Sequence, residues 1–388
     1  MRILHTSDWH LGRSFHRIGL LEAQREFVDH LVATVRERGV DAVLVAGDVY
    51  DRAVPPLAAV ELFDDALHRL ARLGVPTVLI SGNHDSARRL GVGAGLIERA
   101  GIHLRTDPVE CGTPVLLRDA HGEVAFYGLP YLEPALVRQK LGAARSSHAA
   151  VLGAAMERVR ADLAERPAGT RSVVLAHAFV VGGAPSDSER DITVGGVASV
   201  PAEVFDGVDY VALGHLHGCQ AITERVRYSG SPLAYSFSEA THRKTMWLVD
   251  LGADGAVAAE RVDCPVPRPL ARLRGRLEEL LVDPELEEHR EAWVEATLTD
   301  PVRPHEPMAR LAARFPHAVS IAFDPERPPE ETAGSYARRL RGRTDQQIAE
   351  DFVAHVRGGQ GPDAAERAVL TGALDAVRTA ETLREGTR

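Results

Sequence analysis

The chain has 388 residues, enough for two or three domains and a large buried core. Its composition is that of an ordinary globular protein, and its net charge of -10 excludes a whole-protein basic field for wrapping nucleic acid, so any such contact must come from local arginines, bound metal or a partner chain. The three cysteines (Cys111, Cys219, Cys264) are far apart with no CxxC pair, which excludes a disulfide framework and zinc-finger spacing and fits a reducing cytosol.

Residues 2–7 read as a strand, and 20–38 as an amphipathic helix with Leu20, Phe27, Leu31 and Val35 on one face. Strand 41–47, helix 56–73, strand 75–81, helix 86–100 and the short strand 102–104 continue a run of βαβ units with short connections. Strand-like pieces at 114–118 and 124–129 precede a helix at 147–165 and strands near 172–178 and 209–214. From 225 to 263 the pattern is mostly strand, at 225–229, 245–251 and 257–262, with glycine turns between. This order predicts an α/β (α+β) fold over residues 1–263: two packed mixed β-sheets flanked by helices. Strands buried on both faces explain why the apolar runs are continuous rather than alternating.

Residues 264–269 read Cys-Pro-Val-Pro-Arg-Pro, a stiff extended connector and a predicted domain boundary. Helix 270–282, a strand near 293–299, helix 306–315 and strand 318–323 then predict a small α+β domain over 270–323. The proline-rich stretch 324–331 is a second predicted linker. The segment 336–388 reads as a C-terminal helical hairpin. Ile348, Phe352, Val353 and Val356 form one apolar stripe, and Val369, Leu370, Leu374 and Val377 form another after Pro362.

Five apolar runs end in metal-ligand residue types. Asp8 and His10 follow Ile3-Leu4; Asp48 follows 42–46; Asn83, His84 and Asp85 follow 77–80; His177 follows 173–176; His215 and His217 follow 210–213. Ligands at the carboxyl ends of neighbouring strands converge on one edge of a sheet. The pairs Asp8/His10 and His215/His217 can both reach a metal only from a loop or a distorted strand end. Asp, His and Asn without cysteine describe a site for two cations such as Mn²⁺, Fe²⁺ or Zn²⁺. Two dications about 3.5–4 Å apart need an anion between them, and Asp48, isolated on its Gly47-Asp48 turn, suits that role. Two carboxylates against two dications leave the site positive, which attracts a phosphate.

Asp8-x-His10, Gly47-Asp48-x-x-Asp51, Gly82-Asn83-His84-Asp85, His177 and Gly214-His215-x-His217 resemble the calcineurin-like metallophosphoesterases in order and spacing. The opening Met-Arg-Ile-Leu-His-Thr-Ser-Asp-Trp-His-Leu-Gly, the Tyr228-Ser229-Gly230-Ser231-Pro232 segment and the length are similar to the SbcD-type nuclease branch of that family. The resemblance implies that Asp8, His10, Asp48 and His217 hold one metal and that Asp48, Asn83, His177 and His215 hold the other, with Mn²⁺ favoured. It implies that His84 is an acid or phosphate-stabilising residue whose ring Asp85 fixes. The implied reaction is hydrolysis of DNA phosphodiesters, as 3′→5′ exonuclease and endonuclease, in DNA recombination, repair and replication. The implied partners are DNA and an SbcC-type coiled-coil ATPase, with a homodimer inside a heterotetramer. Residues 270–323 would cap the DNA path, and the C-terminal helices would dock on the ATPase. Some related nucleases carry His three residues after the bridging Asp. Asp51 stands there in this sequence, and it is expected to accept from a ligand histidine.

Arg13, beside His16 and Arg17, and the pair Arg88 and Arg89 follow metal motifs; phosphate contact is expected, mainly for Arg13. Ser231 either lines the substrate groove or turns the chain. His5 is expected to pack or hydrogen-bond behind the site. Two other functions remain open: a small-substrate metallophosphatase or phosphodiesterase, and a mainly architectural subunit that binds DNA ends. The added C-terminal domains count against the first and the complete ligand set against the second. His5, Asp8 and His10 stand where a signal peptide needs apolar residues, and no run approaches the length of a membrane span, so a cytoplasmic location is expected.

Overall fold

Successive residues of a strand face opposite ways, and a run that is apolar throughout can bury both faces. In strand β1 (Arg2–Thr6), Ile3 packs to one side and Leu4 to the other. Strands β2 (Ala42–Ala46), β3 (Thr77–Ile80) and β4 (Ile102–Arg105) lie parallel to β1 in sequence order. The computed structural model, which describes residues 1–193, 199–326 and 342–385, completes this first sheet on its other edge. There β11 (Thr245–Leu251) and β12 (Val257–Asp263) add antiparallel strands, giving the order β12-β11-β1-β2-β3-β4.

The second sheet is also mixed, with an antiparallel strand on each edge. Strands β5 (Val115–Asp119), β6 (Gly122–Leu129), β7 (Arg171–His177), β8 (Tyr210–Gly214), β9 (Gln220–Ala221) and β10 (Val226–Tyr228) take the order β9-β10-β8-β7-β6-β5. The central strands β6, β7, β8 and β10 are parallel and the edges antiparallel. Ile3, Leu44, Val78 and Ile80 of the first sheet meet Phe126, Val173, Leu175 and Tyr210 of the second in one buried layer. Each such side chain contributes about 1.5–3 kcal/mol on burial. Helices α1 (Leu21–Glu37) and α2 (Leu57–Leu73) cover the outer face of the first sheet through Phe27, Leu31, Leu62 and Leu70. Helix α3 (His148–Glu165) covers the second through Val151, Ala155 and Val159. The expected pair of mixed sheets flanked by helices is therefore present.

The chain divides into two compact units, Met1–Pro267 and Arg268–Arg388. In the second, β13 (Leu270–Gly275), β14 (Trp293–Leu298) and β15 (Ala318–Phe323) form a parallel sheet. It is backed by α4 (Leu277–Val282) and α5 (Pro307–Arg314) around Leu277, Leu280, Leu311 and Phe315. Helix α6 (Asp345–Val356) opens on a Thr344/Gln347 capping box, and α7 (Ala364–Glu385) follows it. Arg357 holds Glu366 with two hydrogen bonds, at 2.9 and 2.7 Å, across the turn between them.

Two element assignments need correction. Residues 270–275 form a strand, because Ala271 and Leu273 point inward while Arg272 and Arg274 stay exposed, a period of two that outweighs the helical reading. The expected helix 86–100 is broken into Ala87–Leu90, Ala94–Ile97 and a 3-10 turn, Glu98–Ala100; Gly93, with φ 74°, leaves helical geometry between the first two. Parts of two further expectations, 327–331 of the linker and 336–341 and 386–388 of the C-terminal segment, lie outside the described residues. Among the described residues no helix is long and apolar enough to cross a membrane.

Candidate metal centre

Strands β1, β2 and β3 of one sheet and β7 and β8 of the other deliver their carboxyl ends to one place. Asp8 N–H donates to the Gly47 carbonyl and His10 N–H to the Asp48 carbonyl, both at 3.0 Å. The sheets approach so closely here that a Cβ on Gly214 would stand 1.9 Å from the Ala46 oxygen, and within the first sheet's edge one on Gly82 would stand 2.1 Å from Asp48 Oδ1. Only glycine fits at these two positions. Seven described non-glycine residues have positive φ, and four of them are expected ligands: Asp8 (54°), His10 (45°), Asp48 (49°) and His215 (105°). Left-handed backbone costs such residues on the order of 1–3 kcal/mol each. That distortion is what the Asp8/His10 and His215/His217 spacing required.

All seven expected ligands come together. His10 Nε2 faces His217 Nε2 at 3.1 Å. Asn83 Oδ1 lies 2.8 Å from His177 Nε2 and 3.2 Å from His215 Nδ1. Asp48 stands between these sets, with Oδ2 3.7 Å from His10 Nε2 and 3.4 Å from His177 Nε2. Ligand atoms of Asp8, His10 and His217 lie within 4.8 Å of one another, and so do those of Asp8, Asp48 and His177. Two imidazole nitrogens at 3.1 Å share one proton at most, and Asn83 Nδ2 is buried without a hydrogen-bond partner. Lone pairs converging without enough protons are what a pair of cations satisfies, so the donor set fits two divalent ions.

The charge balance makes binding pH-dependent. Burial pushes the Asp8 carboxyl up to about 6. Burial works against the His177 imidazolium, but the Asp48 carboxylate outweighs it and lifts His177 to about 9. Metal-free His177 therefore carries a proton below that pH, and a cation must displace it. Mn²⁺ affinity is expected to fall between pH 8 and pH 6, by up to about tenfold per unit for each proton displaced. Calorimetry in buffers of different ionisation enthalpy reads the released proton. Affinity independent of pH over that range would remove the assignment.

The surroundings correct three expectations. Asp85 does not fix the His84 ring; its carboxylate accepts the N–H groups of Val49 (3.1 Å), Tyr50 (2.9 Å) and Gly82 (2.9 Å), stapling two ligand-bearing loops together. The His84 ring is held instead by the Asp51 backbone oxygen, 2.8 Å from Nδ1. Asp51 Oδ1 stays 3.9 Å from His10 Nδ1, too far for the expected hydrogen bond. Ser231 lines no groove: it is fully buried and donates to the Leu233 carbonyl at 2.7 Å. Arg13 is already engaged, with Nη2 on the Ser188 carbonyl at 3.1 Å and its guanidinium 5.0 Å from the Tyr235 ring centre. His5 packs behind the site as expected, 2.9 Å from the Tyr210 hydroxyl and 3.1 Å from the Leu213 carbonyl.

Sequence reasoning missed Tyr235, whose buried ring stands 5.3 Å from His10 and 5.7 Å from His217, and whose hydroxyl donates to the Trp9 carbonyl. It also missed Ser188, Glu189, Glu239 and Lys244 around His217. One signal was present: Lys244 is one of only two lysines in the chain and opens the buried run of β11.

Residues 1–219, which carry every one of these ligands, match the family described as calcineurin-like phosphoesterase. The chain belongs to that family. Residues 266–357 of this phosphoesterase match the SbcD_C family, described as the type 5 capsule protein repressor C-terminal domain. The phosphoesterase is similar to two solved structures. One is TT1561 of Thermus thermophilus, at 16% identity over 67% of this chain and 98% of that one, TM-score 0.39. The other is GAP50, the anchor in the inner membrane complex of Plasmodium, at 11% identity over 68% and 84%, TM-score 0.41. With the family comes metal-dependent phosphoester hydrolysis, and the tandem of the two matched domains supports an SbcD-type nuclease subunit.

Proposed function

We propose that this phosphoesterase is a DNA nuclease, cutting phosphodiesters as 3′→5′ exonuclease and endonuclease with two Mn²⁺ ions, and acting beside an SbcC-type coiled-coil ATPase in DNA recombination, repair and replication. The observation that carries this reading is the seven-residue ligand set on a phosphoesterase domain followed by the SbcD_C domain. When bound, the two ions supply a nucleophile from water at neutral pH and stabilise the charge on the phosphoryl oxygens. Asp8, His10, Asp48 and His217 would hold one ion, and Asp48, Asn83, His177 and His215 would hold the other. His84, half-buried with Nδ1 tied to a carbonyl, has Nε2 left, and as the imidazolium it carries there a second proton to give the leaving oxygen or to donate to the phosphate.

Partner docking has its own support. Ile348, Val353, Leu370 and Leu374 are half-buried, but Phe352 (57%) and Val369 (72%) are exposed, leaving an apolar face on the hairpin. Val54 (61%) and Leu57 (72%), at the start of α2, leave another that supports a homodimer. A net charge of -10 fits a subunit that borrows DNA affinity from such assemblies, and free cysteines fit the cytoplasm.

The test is cleavage of a hairpin DNA and of a nitrophenyl phosphodiester in Mn²⁺, with and without the coiled-coil ATPase. Both substrates should be cut, and the ATPase should co-purify. Hydrolysis of the small ester alone would replace the nuclease with a small-substrate phosphodiesterase.

A further inference from the structure

Residues 186–189 meet a second stretch behind His217, which supplies Ser231, the 3-10 turn Phe237–Glu239 and Lys244, the residue before β11. Ser188 Oγ lies 2.6 Å from His217 Nδ1 and donates its own proton to Glu239 Oε1. Glu239 Oε1 is also 3.3 Å from His217 Nδ1, and it accepts the Tyr235 N–H at 3.2 Å. Glu239 Oε2 takes the Lys244 ammonium, which further donates to the His217 carbonyl (3.1 Å) and Ser231 Oγ (2.9 Å). Glu189 Oε1 accepts the His217 N–H at 2.7 Å. Glu239 is 1% exposed and Lys244 5%, so this is an ion pair held wholly inside the protein.

The direction of the chain of hydrogen bonds is determined by its end. A carboxylate only accepts, so the Ser188 proton goes to Glu239, and the serine oxygen is left to accept from His217 Nδ1. His217 then carries its proton on Nδ1 and presents the bare Nε2 towards His10 Nε2, 3.1 Å away. An imidazole can bind a cation only through a nitrogen without a proton, and the hydrogen bond on the other nitrogen decides which one that is. We propose that Glu239, oriented by Lys244 and acting through Ser188, is a positioning residue that locks His217 in the Nδ1–H tautomer and so builds one of the two metal positions. The inference rests on the reading of His217 as a ligand.

Lys244 has a separate part in this. Its ammonium occupies Glu239 Oε2, which leaves Oε1 to Ser188 and to the Tyr235 N–H. The ammonium keeps Glu239 an acceptor, and its bond to the His217 carbonyl pins the backbone of that ligand.

Titration of the full, metal-stripped chain with Mn²⁺, followed by the loss of the free-ion paramagnetic resonance signal, gives the two dissociation constants. Glu239→Gln is expected to weaken one site by about 10–100-fold and leave the other near its original value. Ser188→Ala should weaken the same site and Ser188→Thr, which keeps the hydroxyl, should restore it. A purely structural role would instead lower the melting temperature of the metal-free chain and affect both sites alike, and that outcome overturns the proposal. Long-range proton–nitrogen correlations of the unsubstituted metal-free chain need no variant: a proton on His217 Nδ1 supports the proposal and a proton on Nε2 overturns it. If the unsubstituted chain binds two Mn²⁺ ions and the Ser188→Ala and Glu239→Gln variants bind both as tightly, the positioning role fails while the metal centre stands. If the unsubstituted chain binds none, the metal centre fails first and takes the positioning role with it.

Discussion

Replacing Asp48 with Asn is expected to abolish the binding of at least one Mn²⁺ and to lower phosphodiester cleavage by on the order of 10³-fold or more. The carboxylate sits between the two ligand groups, 3.7 Å from His10 Nε2 and 3.4 Å from His177 Nε2. A unit charge about 4 Å from another is worth about 4 kcal/mol at an effective dielectric constant of 20, and Asp48 would face two doubly charged ions at once. Since about 1.4 kcal/mol is a factor of ten in rate, losing even one such interaction gives about 10³. Asn keeps the volume and an oxygen for the His84 N–H, now 2.8 Å from Asp48 Oδ1, so the loops should stay in place. The metal-free variant should lose some stability, because the buried His177 imidazolium loses its Asp48 partner, 3.4 Å away. Metal stoichiometry and melting temperature, read beside the rate, separate a lost bridge from a lost fold. Two bound Mn²⁺ ions with undiminished turnover would falsify the bridging role.

What could be read from the sequence, and what could not, divides along range. The strand-end ligands were legible because a strand of four or five apolar residues aims its next residue at the sheet edge, and that is local information. Asp8, His10, Asp48, Asn83, His177, His215 and His217 all arrive by this route. The side chains that hold them do not. Asp85 stands next to His84 in sequence, yet its oxygens are taken by three backbone N–H groups, because a buried carboxylate must collect donors wherever they lie. Ser231 was left between lining the groove and turning the chain because one of its partners, Lys244, lies 13 residues away. The same holds for Glu239 and Tyr235, which come from loops without a period. Leu270–Gly275 was misjudged for the opposite reason: the local signal was present, but arginines on the outer face made a short alternating strand look like a polar helix.

His84→Gln is expected to lower the rate of DNA cleavage by about 10²–10⁴-fold, the range for losing a positioned acid, while both Mn²⁺ ions remain bound. The ring stacks edge-on against His10 at 4.7 Å, which sets it directly over the ligand cluster. Its Nδ1 is tied to the Asp51 carbonyl at 2.8 Å, and a carbonyl accepts only, so Nδ1 carries a proton. Nε2 is then the nitrogen that meets substrate, and to act as the acid the ring must hold a second proton there, as the imidazolium. His84 also lies close enough to His10 and Asp48 to count among groups able to hold a metal. The two roles separate in the measurement, since a ligand lost would show as a missing ion and an acid lost would not. The leaving group separates acid from phosphate clamp. A DNA alcohol needs a proton as it departs, whereas nitrophenolate is stable without one. If His84 is the acid, Gln should slow DNA cleavage far more than nitrophenyl ester hydrolysis. If it clamps the phosphate, both should slow together, because both substrates carry the same phosphoryl oxygens. Equal rates to the unsubstituted chain on both would leave His84 with neither role.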